Sequence, residues 1–369
     1  MANNTYQNDL DVRSFPLSNS QVCVLLVFDC LLSLAITVGN LLVVSSVILE
    51  RKLRTPTNAF IASLAVADLT VGLIVIPIDI AFALGFASNV TPIACLASSN
   101  VLTVMIIVSI LHLTIIAFDR YLAITDPLTY VVRMSVFRVA LLIALAWGTA
   151  IGISSMPLFG WNNLSNYNHD YCDLMFIHAH SYRAFTVAVS VFVPQNLMVY
   201  FYFKMFRVAK GHMNRIAAQE QTTARRPTLR RDVKAAKTVA MILGFFLMAW
   251  TPASLISVLD TFIHVDDNLQ RTLLIYELAC FHLAFTNSMM NPIIYSFRNK
   301  DFRHAFMKLL GHLFRCRCWR KRVFAASKKA DASCFPEIPT ISRTHHDDPE
   351  ELKDRTGSLN SDGSIEELT

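Results

Sequence analysis

The sequence predicts an all-α membrane protein: a seven-transmembrane helix bundle followed by an amphipathic eighth helix. Three observations carry this. Of 369 residues, 54% are hydrophobic and 16% are charged, whereas a soluble domain is nearer 25% charged. Seven apolar stretches precede residue 300, at 22–48, 57–83, 93–124, 136–158, 181–207, 234–262 and 272–296. Each can cross a bilayer as a helix of roughly 20 residues. Single polar residues interrupt them, without the polar–apolar alternation of barrel strands. Lysine and arginine then fall in alternate connections.

That charge pattern sets the expected orientation. Segments 51–56, 125–138, 204–237 and 297–329 are basic, while the others hold little beyond Arg13, Arg183 and Arg271. The positive side is expected to be cytoplasmic. A plasma-membrane protein with an extracellular N-terminus follows. The first 20 residues are polar, so the first span is expected to insert as a signal anchor. The net charge of +6 belongs to the membrane face, and no nucleic-acid partner is expected. The expected divisions are an extracellular N-terminus (1–21), the spanning domain (22–296), the amphipathic helix (297–313) and a cytoplasmic tail (314–369).

Sequons at Asn3 and Asn163 fall in expected outer segments, and a third at Asn89 lies close to the membrane. Cys95 opens the third span and Cys172 lies in the second outer loop. Both are in oxidising territory, and a bridge between them would pin that loop over the bundle mouth. Cys23, Cys30 and Cys280 are expected to be buried thiols. Cys316 and Cys318 sit beside Arg315, Arg317 and Arg320, a setting for palmitoylation; plain surface thiols are the alternative. Phe302, Phe306, Leu309, Leu310 and Leu313 recur at helical spacing among charges, as in a helix lying in the interface. The polar tail is expected to be disordered.

The most informative stretch is Asp119-Arg120-Tyr121, which closes the third span. An acid and a base at a membrane edge are costly unless paired or used. Other spans carry their own polar sets: Gly39-Asn40, Asp68, Trp147, Pro194 with Tyr202, Phe246 with Trp250-Thr251-Pro252, and Asn287 to Tyr295. In this order and at these separations they resemble the rhodopsin-like G-protein-coupled receptors over residues 22–312.

The resemblance implies roles. Asp119, Arg120 and Tyr121 would form the coupling switch, with Asp232 as the resting partner of Arg120; a solvated charge is the alternative for Asp232. Tyr202 and Tyr295 would hold the arginine in the active state, with Asn291 and Pro292 in the seventh span. Ile110, Pro194, Phe246, Trp250 and Pro252 would transmit the motion. Asp68, Ser109, Asn287, Ser288 and Asn291 would hold an allosteric sodium ion, or else a hydrated polar network. The implied partners are a heterotrimeric G protein, an extracellular small-molecule ligand and the bilayer. Ser358, Ser361 and Ser364 beside acids suggest a receptor kinase and arrestin acting on the tail.

Within that family the chain is most similar to adenosine receptors. The matches are Pro157 to Asn163, Asp232 to Lys237, Thr286-Asn287-Ser288 and the acid Asp29. Residues 228–240 lean toward members that raise cyclic AMP, which points to Gs. Amine receptors come next, through Phe206 to Lys210. The pocket departs from both. Leu174, Ser257, Phe285 and Ile106 replace the adenosine anchors, and Leu102 stands where amine receptors need an aspartate. A missing hydrogen-bond partner discriminates far more strongly than a missing methylene. Asp29 and Asp79 each lie eleven residues from an interior polar residue, Asn40 and Asp68. Eleven residues are about three turns, so each acid is expected on the same face, near the outer mouth with Glu277. The mouth would then favour a cation, or polar groups of an uncharged ligand; a solvated acidic rim is the alternative. An orphan receptor for an amine-like ligand is the second reading, and a transporter or channel is remote. No enzyme is expected: His112 and His282 stand isolated, and His178 with His180 lacks a third metal ligand.

Overall fold

Whether seven apolar stretches become seven helices depends on where each backbone starts, bends and stops. The computed structural model describes residues 19–84, 91–166, 177–218, 241, 244–252, 254–256 and 267–313. We number the helices α1 (Ser20–Leu49), α2 (Pro56–Phe82), α3 (Pro92–Thr125), α4 (Val136–Phe159), α5 (His180–Val208) and α6 (Gly244–Ile256). They are followed by α7 (Asp267–Arg298) and α8 (Lys300–Leu313). A short helix, Pro127–Arg133, lies between α3 and α4. The first five are long and apolar enough to cross a membrane. The ends of the bundle are called inner and outer after the charge pattern.

Three helices start with one local device. Thr55, Thr91 and Ser135 accept hydrogen bonds from the amides of Asn58, Ala94 and Arg138. Each cap satisfies an amide that has no partner inside the helix. Pro56 and Pro92 follow their caps, where proline loses nothing.

Prolines inside the spans act differently. A proline cannot donate to the carbonyl four residues back, and its ring pushes that carbonyl away. In α2 the turn Val71–Val75 is π-type and precedes Pro77; in α5 the turn Val187–Phe192 is π-type and precedes Pro194. A π-type turn adds a residue to the register, which rotates the helix above it by about 100°. Asp68 and Asp79 flank such a turn, and both acids meet α7: Asp68 at Asn291 and Asp79 at His282.

In the packing, α3 touches α2, α4 and α5, while α1 touches α2, α7 and α8. The buried core joins Phe60 and Leu64 of α2 with Ile110 and Ala117 of α3, Phe246 and Trp250 of α6 and Tyr295 of α7. The opposite faces are apolar and exposed. On α1, Val24, Val27, Leu31, Leu34, Val38 and Leu41 form one exposed stripe. In water such a stripe would be a liability; in a bilayer it faces acyl chains. Cys23 and Cys30 are exposed beside this stripe, which corrects the expectation of buried thiols. Hydropathy reports a bilayer environment, and cannot tell lipid from protein neighbours. Cys280 is half-buried.

At the inner end α8 begins at Lys300 and turns Phe302 against Tyr295, with ring centroids 5.6 Å apart. Lys308 Nζ donates to Glu50 Oε1 at 2.6 Å. That bond holds the Glu50 carboxyl below its ordinary range. The pair is exposed, so it orients α8 more than it stabilises the bundle.

Two glycines set helix separations. A Cβ on Gly72 would lie 2.7 Å from Thr37 Oγ1 and 3.1 Å from the Ser33 carbonyl, and Ser33 Oγ donates to the Gly72 carbonyl at 2.7 Å. Small residues permit this approach inside a membrane. Replacing Gly72 with valine is expected to destabilise the fold by about 1–3 kcal/mol, as overpacked sites do. Thermal denaturation of the detergent-solubilised protein checks this. Gly148→Ala, with nothing near its Cβ, should leave the midpoint close to wild type.

Candidate functional site

The charged pair at the inner end of α3 is held locally. Asp119 is fully buried, and the Arg120 side chain is 19% exposed. Arg120 Nε and Nη2 donate to Asp119 Oδ2 at 2.9 and 2.7 Å. Thr57 of α2 donates to the same oxygen at 2.7 Å, and the guanidinium also bonds Thr57 Oγ1. Tyr130, on the short helix after α3, donates to Asp119 Oδ1 at 2.8 Å and accepts from Arg120 Nη2 at 3.2 Å. Burial and the nearby Asp119 carboxylate hold the Tyr130 hydroxyl above its ordinary range. It therefore remains a neutral donor. Both carboxylate oxygens are thus satisfied, which a buried charge requires.

Thr57 and Tyr130 were not legible as partners of Asp119. They lie 62 and 11 residues from it in sequence, and neither type is rare. Asp232, the expected partner of Arg120, lies outside the described residues. Tyr121 stacks on Phe201 of α5, with centroids 5.4 Å apart. The hydroxyls of Tyr202 and Tyr295 are buried and have no hydrogen-bond partner among the described residues.

Above this pair lies a polar interior. Asp68 Oδ2 accepts from Asn291 Nδ2 at 2.9 Å, which joins α2 to α7. Asp68 Oδ1 and Asn291 Oδ1 are buried acceptors without a partner. Asn40 Nδ2 donates to the Ser288 carbonyl at 3.1 Å. That carbonyl lies four residues before Pro292, whose missing amide would otherwise leave it unbonded. Ser109, Asn287 and Ser288 line one side of a cavity with room for a water-sized particle. The unsatisfied Asp68 and Asn291 oxygens, and the hydroxyl and amide oxygens that line this space, are donors of the type that water or a small hard cation such as sodium takes.

The same cavity reaches the expected ligand floor. Leu102, Ile106, Phe285 and Trp250 line its other side. Phe246 and Trp250 pack with ring centroids 6.2 Å apart, and the Trp250 indole N–H is buried without a partner. Ile110 and Phe246 are fully buried, and Pro194 is buried above a π-type turn. Pro252 lies in α6. Trp250 therefore meets Ser109, Asn287 and Ser288 at one space. Leu174 and Ser257 lie outside the described residues, and the side chain of Glu277 is not among those described.

Histidines have separate partners. His112 Nδ1 faces the Val108 carbonyl and Nε2 faces Ser63 Oγ, both at 2.8 Å. Trp147 donates to the same Ser63 oxygen at 3.1 Å, so His112 ties α2, α3 and α4 together. His178 bonds Ser99, while His180 bonds Arg183; the two do not converge on a metal. His282 is not isolated, as the sequence suggested. Its Nε2 lies 3.1 Å from Asp29 Oδ2, across 253 residues of sequence. Only the adjacency of α1 and α7 reveals it. Asp29 is 4% exposed, so it does not belong to a solvated rim.

On the outer side Gly160 adopts φ +108°, a left-handed turn that favours glycine. The chain then returns, and Asn162 bridges His178 in antiparallel fashion. Asn163, of the sequon, accepts this return through its amide, which donates to the Ile177 carbonyl at 2.9 Å. Cys95 is disulfide-bonded and packs with Leu96 and Ile177. Cys172, Asn3, Cys316 and Cys318 lie outside the described residues.

The chain matches the family described as 7 transmembrane receptor (rhodopsin family) over residues 39–295. It is 34% identical to the adenosine receptor A2b of Mus musculus over 300 residues, covering 77% of this chain and 88% of that receptor. It is 33% identical to the Homo sapiens adenosine receptor A2b, covering 75% and 87%. It is 30% identical to the Homo sapiens histamine H2 receptor, covering 86% and 85%.

Removing the Tyr130 hydroxyl leaves Asp119 Oδ1 without its donor. Tyr130→Phe is expected to lower stability by about 1–3 kcal/mol, the usual cost of an unsatisfied buried acceptor. Thermal denaturation in detergent measures it, with the exposed Tyr200→Phe as a variant that should not change.

Proposed function

The chain belongs to the rhodopsin family of seven-transmembrane receptors, and on that premise we propose that it binds an extracellular small molecule and activates a heterotrimeric G protein of the Gs type. It acts in the plasma membrane, with its N-terminus outside. The observation that carries the reading is the buried Asp119–Arg120 pair, closed by Thr57 and Tyr130 at the inner end. An intramembrane charge pair that is fully hydrogen-bonded but reachable from one face suits a switch. Arg120 leaves this cage when the inner end opens, and Tyr202 and Tyr295 then supply hydroxyls to hold it. Their lack of partners in the closed arrangement supports that exchange.

The ligand enters above Trp250. Leu102, Ile106 and Phe285 line the small space beside it with Ser109, Asn287 and Ser288, and the first three offer no hydrogen bond to the edge of a purine. Contact with Trp250 passes to Phe246 and Ile110, which share its core. Pro252 makes α6 the moving arm. In the resting state Asp68 and Asn291, with Ser109, Asn287 and Ser288, would hold a sodium ion and so stabilise that state. The Cys95–Cys172 bridge pins the outer loop, and α8 lies at the inner interface. Receptor kinase and arrestin act on the tail.

Nucleotide exchange on Gαs by the purified receptor tests the reading, with a cyclic AMP screen across purines, amines and small metabolites to supply an agonist. Basal or ligand-driven exchange is expected, falling to background in Arg120→Ala. No exchange with any ligand or in the basal state counts against it. The sodium site has its own readout. Sodium chloride is expected to raise the melting midpoint above that in equimolar potassium chloride. Asp68→Asn should abolish the difference.

A further inference from the structure

Three side chains from three helices meet toward the outer end of the bundle. Asp29 of α1, Asp79 of α2 and His282 of α7 each offer a ligand atom, and these atoms lie within 4.8 Å of one another. His282 Nε2 and Asp29 Oδ2 are 3.1 Å apart, about the spacing of two donors on one tetrahedral ion. Asp29 Oδ1 is buried and has no hydrogen-bond partner. Among the described residues, no lysine or arginine forms a salt bridge with either carboxylate. Two acids in such a setting are expensive unless a cation joins them. Asp79 is half-buried, so the cluster can be approached from its side. The rings of Phe28 and Phe285 lie 6.4 and 6.3 Å from that of His282 and shield the remainder.

We infer that Asp29, Asp79 and His282 form a zinc site that ties α1, α2 and α7 together. One imidazole and two carboxylates make a borderline donor set, which suits Zn²⁺ better than Ca²⁺ or Mg²⁺. Two carboxylates neutralise one divalent ion. The metal takes Nε2 unprotonated, so a hydrogen on that nitrogen passes to Nδ1 of a neutral ring or, from an imidazolium, to solvent. Asp79 completes the set by a side-chain adjustment of about 1 Å toward the ordinary ligand distance of about 2 Å. A fourth position remains for water. The site is separate from the sodium-type donors around Asp68, and it does not rest on the ligand or G-protein reading. It acts on α7, the helix that also carries Asn291 and Tyr295. Occupancy therefore biases the position of the helix through which the switch operates.

The test uses the full chain in nanodiscs with zinc chloride alone, and no agonist. Equilibrium dialysis is expected to show one ion per chain at this site. Zinc should also raise the melting midpoint, since it binds the folded state. Asp79→Asn, Asp29→Asn and His282→Ala should each weaken binding at least about tenfold, as loss of a supporting group does. His180→Ala, which removes an exposed histidine held by Arg183, should bind as wild type. Calcium or magnesium should not substitute. X-ray absorption of the zinc-loaded wild type gives a second reading that needs no variant. One imidazole with oxygen neighbours is expected. No binding by the wild type, undiminished binding by Asp79→Asn and His282→Ala, or a shell holding sulfur or several imidazoles overturns the proposal.

Discussion

The bundle depends on a carbonyl that a proline leaves without its donor. Pro292 cannot bond the Ser288 carbonyl, and the interior of a membrane offers no bulk water to do so. Asn40 of α1 supplies the missing donor at 3.1 Å. Gly39, beside it, has no Cβ, which would sit 3.0 Å from the Pro292 ring. One residue admits the ring and its neighbour satisfies the carbonyl. Helix α7 is thereby held against α1 at the level where Asp68 meets Asn291. Much of the functional interior hangs on that register.

The same constraint shapes the rest. Every polar group among the spans must be paired, used or left beside a space. Asp119 is paired four ways at the inner end. His112 and Trp147 share Ser63. Asp68 and Asn291 keep unsatisfied oxygens in the polar interior, and Trp250 keeps an unsatisfied N–H at a cavity that Ser109, Asn287 and Ser288 also line. Satisfied groups make rigid joints, and the unsatisfied ones at Asp68, Asn291 and Trp250 leave donors and acceptors for an ion, water or ligand. The distinction separates scaffold from site without appeal to chain position. It also explains why the switch and the pocket communicate: both rest on α3, which packs against α2, α4 and α5.

Class was legible because hydropathy and order are local properties. A run of apolar residues reports a span, and Asp119-Arg120-Tyr121 or Asn291-Pro292 reports its position in the series. Neighbours across the bundle were not legible. Thr57 and Tyr130 are ordinary residue types whose bonds to Asp119 appear only when α2 and the short loop helix are in place. His282 looked isolated because Asp29 is 253 residues away. Lipid and protein neighbours are equally apolar, so Cys23 and Cys30 could not be sorted by hydropathy.

The sequence by itself determined a helical membrane protein with Asp119-Arg120-Tyr121 closing its third span, and a motif order that resembles the rhodopsin family. Those features follow from composition, periodicity and the order of short motifs along one chain. The tertiary structure decided which helices touch, which face each polar residue presents and which groups meet across hundreds of residues. It brought Asp29, Asp79 and His282 together, gave Asp119 its cage and gave the Ser288 carbonyl its donor. The physical reason is that span formation needs only a segment's own backbone bonds. The partner of a buried charge depends instead on the rotation of each helix, set by π-type turns, prolines and glycine contacts that act between segments.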